Sequence, residues 1–259
     1  KGTGDAARFR YQPELIDSRW SEFAGSIDLL LAGPPCQGHS NLNNRTRRVD
    51  PRNDLYLTVP AMAVALDAEA VIIENVPAVV HDRLGVVATT IRLLEDAGYG
   101  VATGVLKADT LGWAQRRSRY FVVATRSREP LPIAEVAAEL ESPARSLLWA
   151  IGDIEDAPVD DFMFRQPELT IENRRRIDWL FDNDEHDLPF SERPECHRDG
   201  TTYTSVYGRM YGDVPAPTIT TGFMTPGRGR YIHPTRRRVM TPREAARLQG
   251  FPDTYKFES

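Results

Sequence analysis

Cysteine, lysine and long apolar runs are scarce in this sequence of 259 residues. Its two cysteines, Cys36 and Cys196, are too few for a disulfide framework and too far apart for a metal motif, so we expect two free thiols. No apolar run approaches the roughly 20 residues needed to cross a bilayer, and the first residues lack the apolar core of a signal peptide. The sequence therefore gives no support to a membrane or secreted role.

The charge is acidic overall but unevenly distributed. The chain has 37 Asp and Glu against 32 Lys and Arg, a net charge of -5, and only three of the basic residues are lysine. Two explanations of the abundant arginine are equally good. One is arginine-rich codon usage, and the other is function, because guanidinium groups bind phosphates and guanine edges. Clustering favours the functional reading for the C-terminal third only, where residues 201–250 carry a net +6 from eight arginines against Asp213 and Glu244: Arg209, Arg228, Arg230, Arg236, Arg237, Arg238, Arg243 and Arg247.

Strand-like and helix-like segments alternate in the first half of the chain. Apolar runs bounded by Gly and Pro predict buried strands, and longer periodic segments predict helices. This alternation predicts an α/β domain with a largely parallel sheet. The predicted strands cover 27–33, 70–73, 99–107 and 119–125, and the predicted helices cover 55–68 and 82–97.

The periodic pattern decays after about residue 126. Residues 127–240 are rich in Pro, Gly, Asp and Arg, with short strand-like pieces such as 218–221, and predict a second, smaller and more irregular domain. Regular structure returns with Thr241 as a helix N-cap and Pro242 at the first helical position.

Two groups with catalytic chemistry follow predicted strands, where α/β sheets bind ligands. A thiol at Cys36, beside arginines, could be a stabilised and nucleophilic thiolate, or a small buried residue in a turn. Glu74 follows four apolar residues, so it could be a partly buried acid that transfers a proton, or an ordinary solvated charge.

Arg117 and Arg119 lead into the fourth predicted strand. Strand alternation places both on one face, either in a site or as a basic strand entry facing water. The histidines have no metal-ligand spacing, so we expect no metal site and assign them to loops or the surface: His39, His81, His186, His197 and His233.

Five short motifs in this order resemble those of the DNA cytosine-5 methyltransferases of bacteria and phages. The motifs are GPPCQGHS at 33–40, ENV at 74–76, QRRSR at 115–119, PTITTG at 217–222 and TPREAARLQGFPDTY at 241–255. The resemblance implies a Rossmann-like, S-adenosyl-L-methionine-dependent methyltransferase domain with a smaller, irregular target-recognition domain.

The resemblance also implies a role for each catalytic residue. Cys36 would add to C6 of cytosine and make C5 nucleophilic, while Glu74 would stabilise N3 and the exocyclic amino group. Arg119 would contact the base carbonyl and the thiolate region, and Arg117 and Gln115 would shape the site. Because this chemistry cannot occur inside a stacked duplex, the cytosine must be flipped out.

For S-adenosyl-L-methionine, the family positions that carry over are Gly33, Pro35 and Leu55, with Asp17 as a poorly matching acidic contact. The family's glycine-rich cofactor turn and its first strand have no match in this sequence. Three accounts stay open: a complete methyltransferase of which this is part, one half of an enzyme whose cofactor segment lies on a second polypeptide, or a degenerate paralogue that only binds DNA.

The implied domains are a catalytic domain at 1–155, a target-recognition domain at 156–240 and a helix returning to the catalytic domain at 241–259. Double-stranded DNA is the expected partner, and tRNA is the alternative substrate. The resemblance also implies a role in restriction-modification and a cytoplasmic, nucleoid-associated location. The residues expected to contact DNA are Gln37, Ser40, Arg45, Arg47, Thr220, Arg228 and Arg230.

Overall fold

The computed structural model describes residues 18–35, 55–156, 162–198 and 205–258. The chain divides into two compact units of nearly equal length: a first unit of Lys1–Lys107 and Ser118–Leu140, and a second unit of Ala108–Arg117 and Glu141–Ser259. These units differ from the domains expected from sequence, because the second unit includes Ala108–Arg117 and the C-terminal helix. What each unit does stays a prediction.

The described residues of the first unit contain a four-stranded mixed sheet in the order β1-β2-β4-β3. β1 and β2 are parallel, whereas β4 is antiparallel to both β2 and β3. The prediction of a largely parallel sheet is therefore wrong. The segment Ala108–Arg117 between β3 and β4 contains no helix, and a parallel crossover needs a dozen or more residues. The strands are β1 Leu29–Ala32, β2 Ala70–Asn75, β3 Gly100–Lys107 and β4 Ser118–Thr125.

Helices α1 (Thr58–Ala65), α2 (Val86–Asp96) and α3 (Ile133–Glu139) belong to the same unit. The first two confirm the predicted helices but are shorter. In α2, five buried residues recur at the spacing of one helical face, so the helix can cover a sheet: Val86, Val87, Thr90, Leu93 and Leu94. The core of the first unit combines this face with alternate residues of the strands, including Val71, Ile73, Val122 and Ala124.

In the described residues of the second unit, the regular elements are helices rather than strands. It contains α4 (Leu147–Ile151), α5 (Ile171–Asp182) and α6 (Pro242–Leu248). The prediction of a strand-like piece at 218–221 is wrong, because these residues form no strand. Helix α5 escapes sequence reading because only Ile177 and Leu180 are buried along its otherwise mostly polar length. The predicted start of α6 is confirmed: Thr241 and Glu244 form a reciprocal capping box.

Two apolar clusters form the core of the second unit. One surrounds Met210, Tyr231 and Leu248, and the other surrounds Leu180 and Ile232. Among the described residues, no helix is long and apolar enough to traverse a bilayer. Those same ranges contain no group of His, Cys, Asp and Glu side chains arranged to bind a metal.

Candidate active site

A side-chain hydrogen bond joins the carboxyl ends of β1 and β2. Buried Asn75, the last residue of β2, donates its Nδ2 hydrogen to the carbonyl of Pro34 at 3.2 Å, and its Oδ1 accepts from the backbone of Val76 at 2.8 Å. The segment leading to Cys36 is therefore anchored where β2 ends. Cys36 itself lies outside the described residues, as do Gln37, Ser40, Arg45 and Arg47. Their roles stay predictions.

Glu74 and Arg119 form an ion pair across β2 and β4. In the antiparallel register Glu74 lies opposite Phe121, so Arg119 is its diagonal neighbour on the same face. Arg119 Nε lies 2.6 Å from Glu74 Oε1, and its Nη1 donates to the Ser118 carbonyl at 2.8 Å. The arginine side chain is 18% exposed and the glutamate 38%. The pair thus holds the carboxylate in one orientation at the strand end, one residue from Asn75.

The other two predicted catalytic residues belong to the second unit. β4 begins at Ser118, so Arg117 precedes the strand, and its carbonyl accepts from the Ala108 backbone at 2.8 Å. Gln115 is buried and donates from Nε2 to the Leu248 carbonyl at 2.8 Å, next to the indole of Trp113, which donates to the same carbonyl at 3.0 Å. Gln115 therefore joins two of the sequence motifs, a link that no local sequence pattern reveals.

Residues 11–259 match the sequence profile of the C-5 cytosine-specific DNA methylases. The chain belongs to this family. It is 45% identical over 243 residues to the type II methyltransferase M1.BsuMI of Bacillus subtilis, an alignment that covers 93% of this chain and 56% of that protein. It is 30% identical over 247 residues to the type II methylase M.HgiDII of Herpetosiphon aurantiacus, covering 88% of this chain and 66% of that one. The chain thus spans about half to two thirds of the length of these relatives.

Solved structures show the same Rossmann-like methyltransferase fold. The S. pombe Dnmt2 methyltransferase superposes with a TM-score of 0.58 at 17% identity, covering 89% of this chain and 67% of that chain. A mutant Spodoptera frugiperda DNMT2 gives 0.55 at 16% identity, covering 97% and 75%. At such identities the likeness concerns the fold alone.

The three candidate cofactor residues are accessible. Gly33 and Pro35 follow β1 and are exposed, and a side chain at Gly33 would meet no atom within 4 Å. Leu55 is 45% exposed. Open backbone and an exposed apolar side chain leave room for contact with S-adenosyl-L-methionine, and the contacts themselves stay a prediction. Asp17 lies outside the described residues.

The candidate DNA contacts of the second unit differ in availability. Thr220 is occupied by the hydroxyl of buried Tyr231, 2.9 Å away. Arg230 donates to the carbonyls of His186 and Arg209 at 2.8 and 2.9 Å and pairs with Asp187. Arg228 is exposed and has no carboxylate partner among the described residues. Arg228 is therefore the best placed of the three for a phosphate.

Carboxylates compensate most of the arginine cluster at 201–250. At least six of its eight arginines form ion pairs with described residues, and five of these six use acidic residues outside that range, so the local excess of +6 overstates the charge of the folded surface. The pairs are Arg209 with Asp184, Arg230 with Asp187, Arg236 with Glu155 and Asp156, Arg237 with Asp178 and Asp182, Arg238 with Glu244, and Arg247 with Asp153 and Asp253.

A buried polar cluster in the second unit was missed by the sequence reading. His233 lies in a loop, one of the two places predicted for it, but its side chain is fully buried rather than at the surface, with Nε2 3.5 Å from Glu244. Its Nδ1 accepts from the backbone of Thr235 and Arg236 at 3.2 Å, so Nε2 is the ring nitrogen that faces the carboxylate. Arg238 donates to both oxygens of Glu244, at 2.8 and 2.6 Å.

Burial raises the pKa of Glu244, but hydrogen bonds from His233 and Arg238 outweigh that effect and lower it to about 2. The Thr-Pro-Arg-Glu start of α6 was a sequence signal for Glu244 as a capping residue. Nothing local indicated that Arg238 and His233 would meet it.

Proposed function

We propose that this chain supplies the catalytic and recognition machinery of a DNA cytosine-5 methyltransferase. The anchored end of β1 before Cys36, next to the fixed Glu74–Arg119 pair, carries the proposal. A nucleophile and an oriented carboxylate at adjacent strand ends are the groups that addition to a pyrimidine needs.

In the proposed reaction the thiolate of Cys36 forms a bond to C6 of a flipped-out cytosine. The electrons of the C5–C6 double bond move toward N3 and the amino group, where Glu74 holds a proton or hydrogen bond, and Arg119 keeps that carboxylate in place. When bound, S-adenosyl-L-methionine would supply an electrophilic methyl group that bonds to C5 as its sulfonium sulfur leaves as a neutral thioether, and Gly33, Pro35 and Leu55 would line its site. Loss of the C5 proton to a base then returns electrons to the ring, and the C6–S bond breaks to restore the thiolate.

Recognition is proposed to combine the segment after Cys36, with Gln37, Ser40, Arg45 and Arg47, and the second unit. Arg228 would contact a phosphate, which fixes position without reading sequence. Gln115 and Arg117 would contribute to catalysis, the role that their motif implies. Thr220 and Arg230 would act near the DNA through the loops that they hold, and association with the nucleoid belongs to the same proposal.

A methyl-transfer assay with labelled S-adenosyl-L-methionine tests the proposal on unmethylated genomic DNA and on tRNA. We expect labelled DNA with the unaltered chain and with Cys196→Ala, a matched control because Cys196 is an exposed free thiol. Cys36→Ala should abolish labelling. Duplexes containing 5-fluorocytosine should trap the unaltered chain covalently, since fluorine blocks the final elimination.

Labelling by Cys36→Ala would refute the mechanism, and labelling of tRNA alone would reassign the substrate. No labelling by the unaltered chain, even with its relatives' additional segments supplied, would favour a DNA-binding protein without methyl transfer.

A further inference from the structure

The second unit has an open groove walled by aromatic side chains. The groove has a volume of about 410 Å³, and its walls include Trp113, Trp149 and Phe251. These side chains are 43%, 61% and 40% exposed. Large aromatic surfaces grouped in one exposed groove mark interaction sites more often than isolated exposed residues do.

Trp113 is held rigidly as one wall. Its indole nitrogen donates to the Leu248 carbonyl at 3.0 Å. Gly250, at φ +90°, leaves no room for a side chain beside the ring, because a Cβ would come within 2.4 Å of the indole carbon Cζ2. The ring is thus fixed before any ligand arrives, which reduces the entropy cost of binding.

Trp149 forms another wall, and the guanidinium group of Arg145 lies over its ring. The central carbon of Arg145 lies 3.9 Å from the centre of the indole ring, a cation–π contact that orients both side chains. Ser146 caps helix α4 by accepting from the backbone of Trp149 at 3.2 Å, which fixes the start of the helix that carries the ring.

The charge of the groove indicates an anionic ligand. No carboxylate is among its lining residues, whose only charged members are Arg145 and Arg247. Arg247 is compensated by Asp153 and Asp253. Arg145 has no carboxylate partner in the part of the chain that the structure describes, unlike most arginines of the cluster at 201–250.

We propose that this groove binds an unpaired nucleotide, with the base stacked on the exposed rings and the phosphate on Arg145. A nucleotide offers both a planar ring and an anion, whereas a proline-rich peptide, which also suits aromatic grooves, offers neither. The chemical class is single-stranded nucleic acid, and binding here requires neither Cys36 nor the methyl donor.

Fluorescence anisotropy with a labelled, short single-stranded oligodeoxythymidine tests the groove directly. Trp149→Ala should weaken binding roughly fivefold or more, the lower end for loss of base stacking. Arg145→Ala should weaken binding and reduce the slope of log K against log salt by about 0.7, as expected for loss of one phosphate contact. Ile171→Ala and Arg174→Ala are the matched controls, because both residues are exposed and line a separate groove.

Photocrosslinking with 5-iododeoxyuridine in the same oligonucleotide should place the adduct on Trp113, Trp149 or Phe251. No binding by the unaltered chain, equal losses in the control variants, or adducts only elsewhere would overturn the proposal. Trp149-dependent binding of a proline-rich peptide in place of the oligonucleotide would overturn it as well. Methyl transfer by Trp149→Ala is measured separately, so failure of this proposal and failure of the proposed function are distinguishable.

Discussion

Replacing Glu244 by glutamine should destabilise the second unit strongly at neutral pH. Its carboxylate accepts from Arg238 at 2.6 and 2.8 Å and from the Thr241 backbone at 2.7 Å, with no exposure to solvent. Lowering the pKa from 4.5 to about 2 corresponds to about 3 kcal/mol of stability at pH 7. Loss of the charge would also leave Arg238 buried without a counter-ion, which costs about 3 to 5 kcal/mol in other proteins.

The pH dependence follows from the sign of that change. Because the folded-state pKa lies below the ordinary value, the stabilisation is complete above about pH 5 and is lost as the pH falls toward 2. The difference in unfolding free energy between the unaltered chain and Glu244→Gln should therefore fall to roughly half at pH 3.

Urea unfolding followed by tryptophan fluorescence measures this difference. Three of the four tryptophans, Trp113, Trp149 and Trp179, lie in the second unit, so the signal reports mainly on that unit. Glu185→Gln is the control, since Glu185 is exposed and forms no ion pair with a described residue. A loss below about 1 kcal/mol at pH 7, or a loss equal at pH 7 and pH 3, would refute the argument.

Three further changes separate structural from functional roles. Gly250→Ala should lower the melting temperature of the second unit more than Gly98→Ala lowers that of the first. Both glycines have φ near +90°, but only Gly250 lies against an indole. Equal effects would leave backbone strain as the whole cause. Asn75→Asp keeps an acceptor but loses the donor to the Pro34 carbonyl at the end of β1. It should therefore slow methyl transfer and fluorocytosine trapping, while circular dichroism shows an unchanged fold. Unchanged trapping would contradict the anchoring role. Arg228→Ala should reduce the slope of log K against log salt for duplex-DNA binding by about 0.9, without loss of stability. Arg230→Ala should instead lower stability in thermal unfolding. An unchanged slope in Arg228→Ala would exclude a phosphate contact there.

Short-range patterns in the sequence were sufficient for the motifs and most regular elements. Apolar runs located β1 and β2, the spacing of apolar residues located α2, and Thr241 located the start of α6. These features depend on residues that are close together in the sequence, so local patterns are enough to predict them.

Strand direction and charge compensation were not predictable in this way. The sequence of β3 and β4 is the same for either direction, and only the short helix-free connection favours antiparallel pairing. The cluster of arginines predicted a basic surface. The sequence did not reveal its compensation, because most of the acidic partners lie far away in the chain, between Asp153 and Asp187.

The sequence by itself determined the family, the order of the motifs and the groups expected to carry the chemistry, because these depend on residue type and spacing. The tertiary structure decided which groups meet: Glu74 with Arg119, Gln115 with Leu248, and His233 with Glu244. These pairs form across strands or between distant segments, and their partners are selected by burial and hydrogen-bond geometry rather than by proximity in the chain.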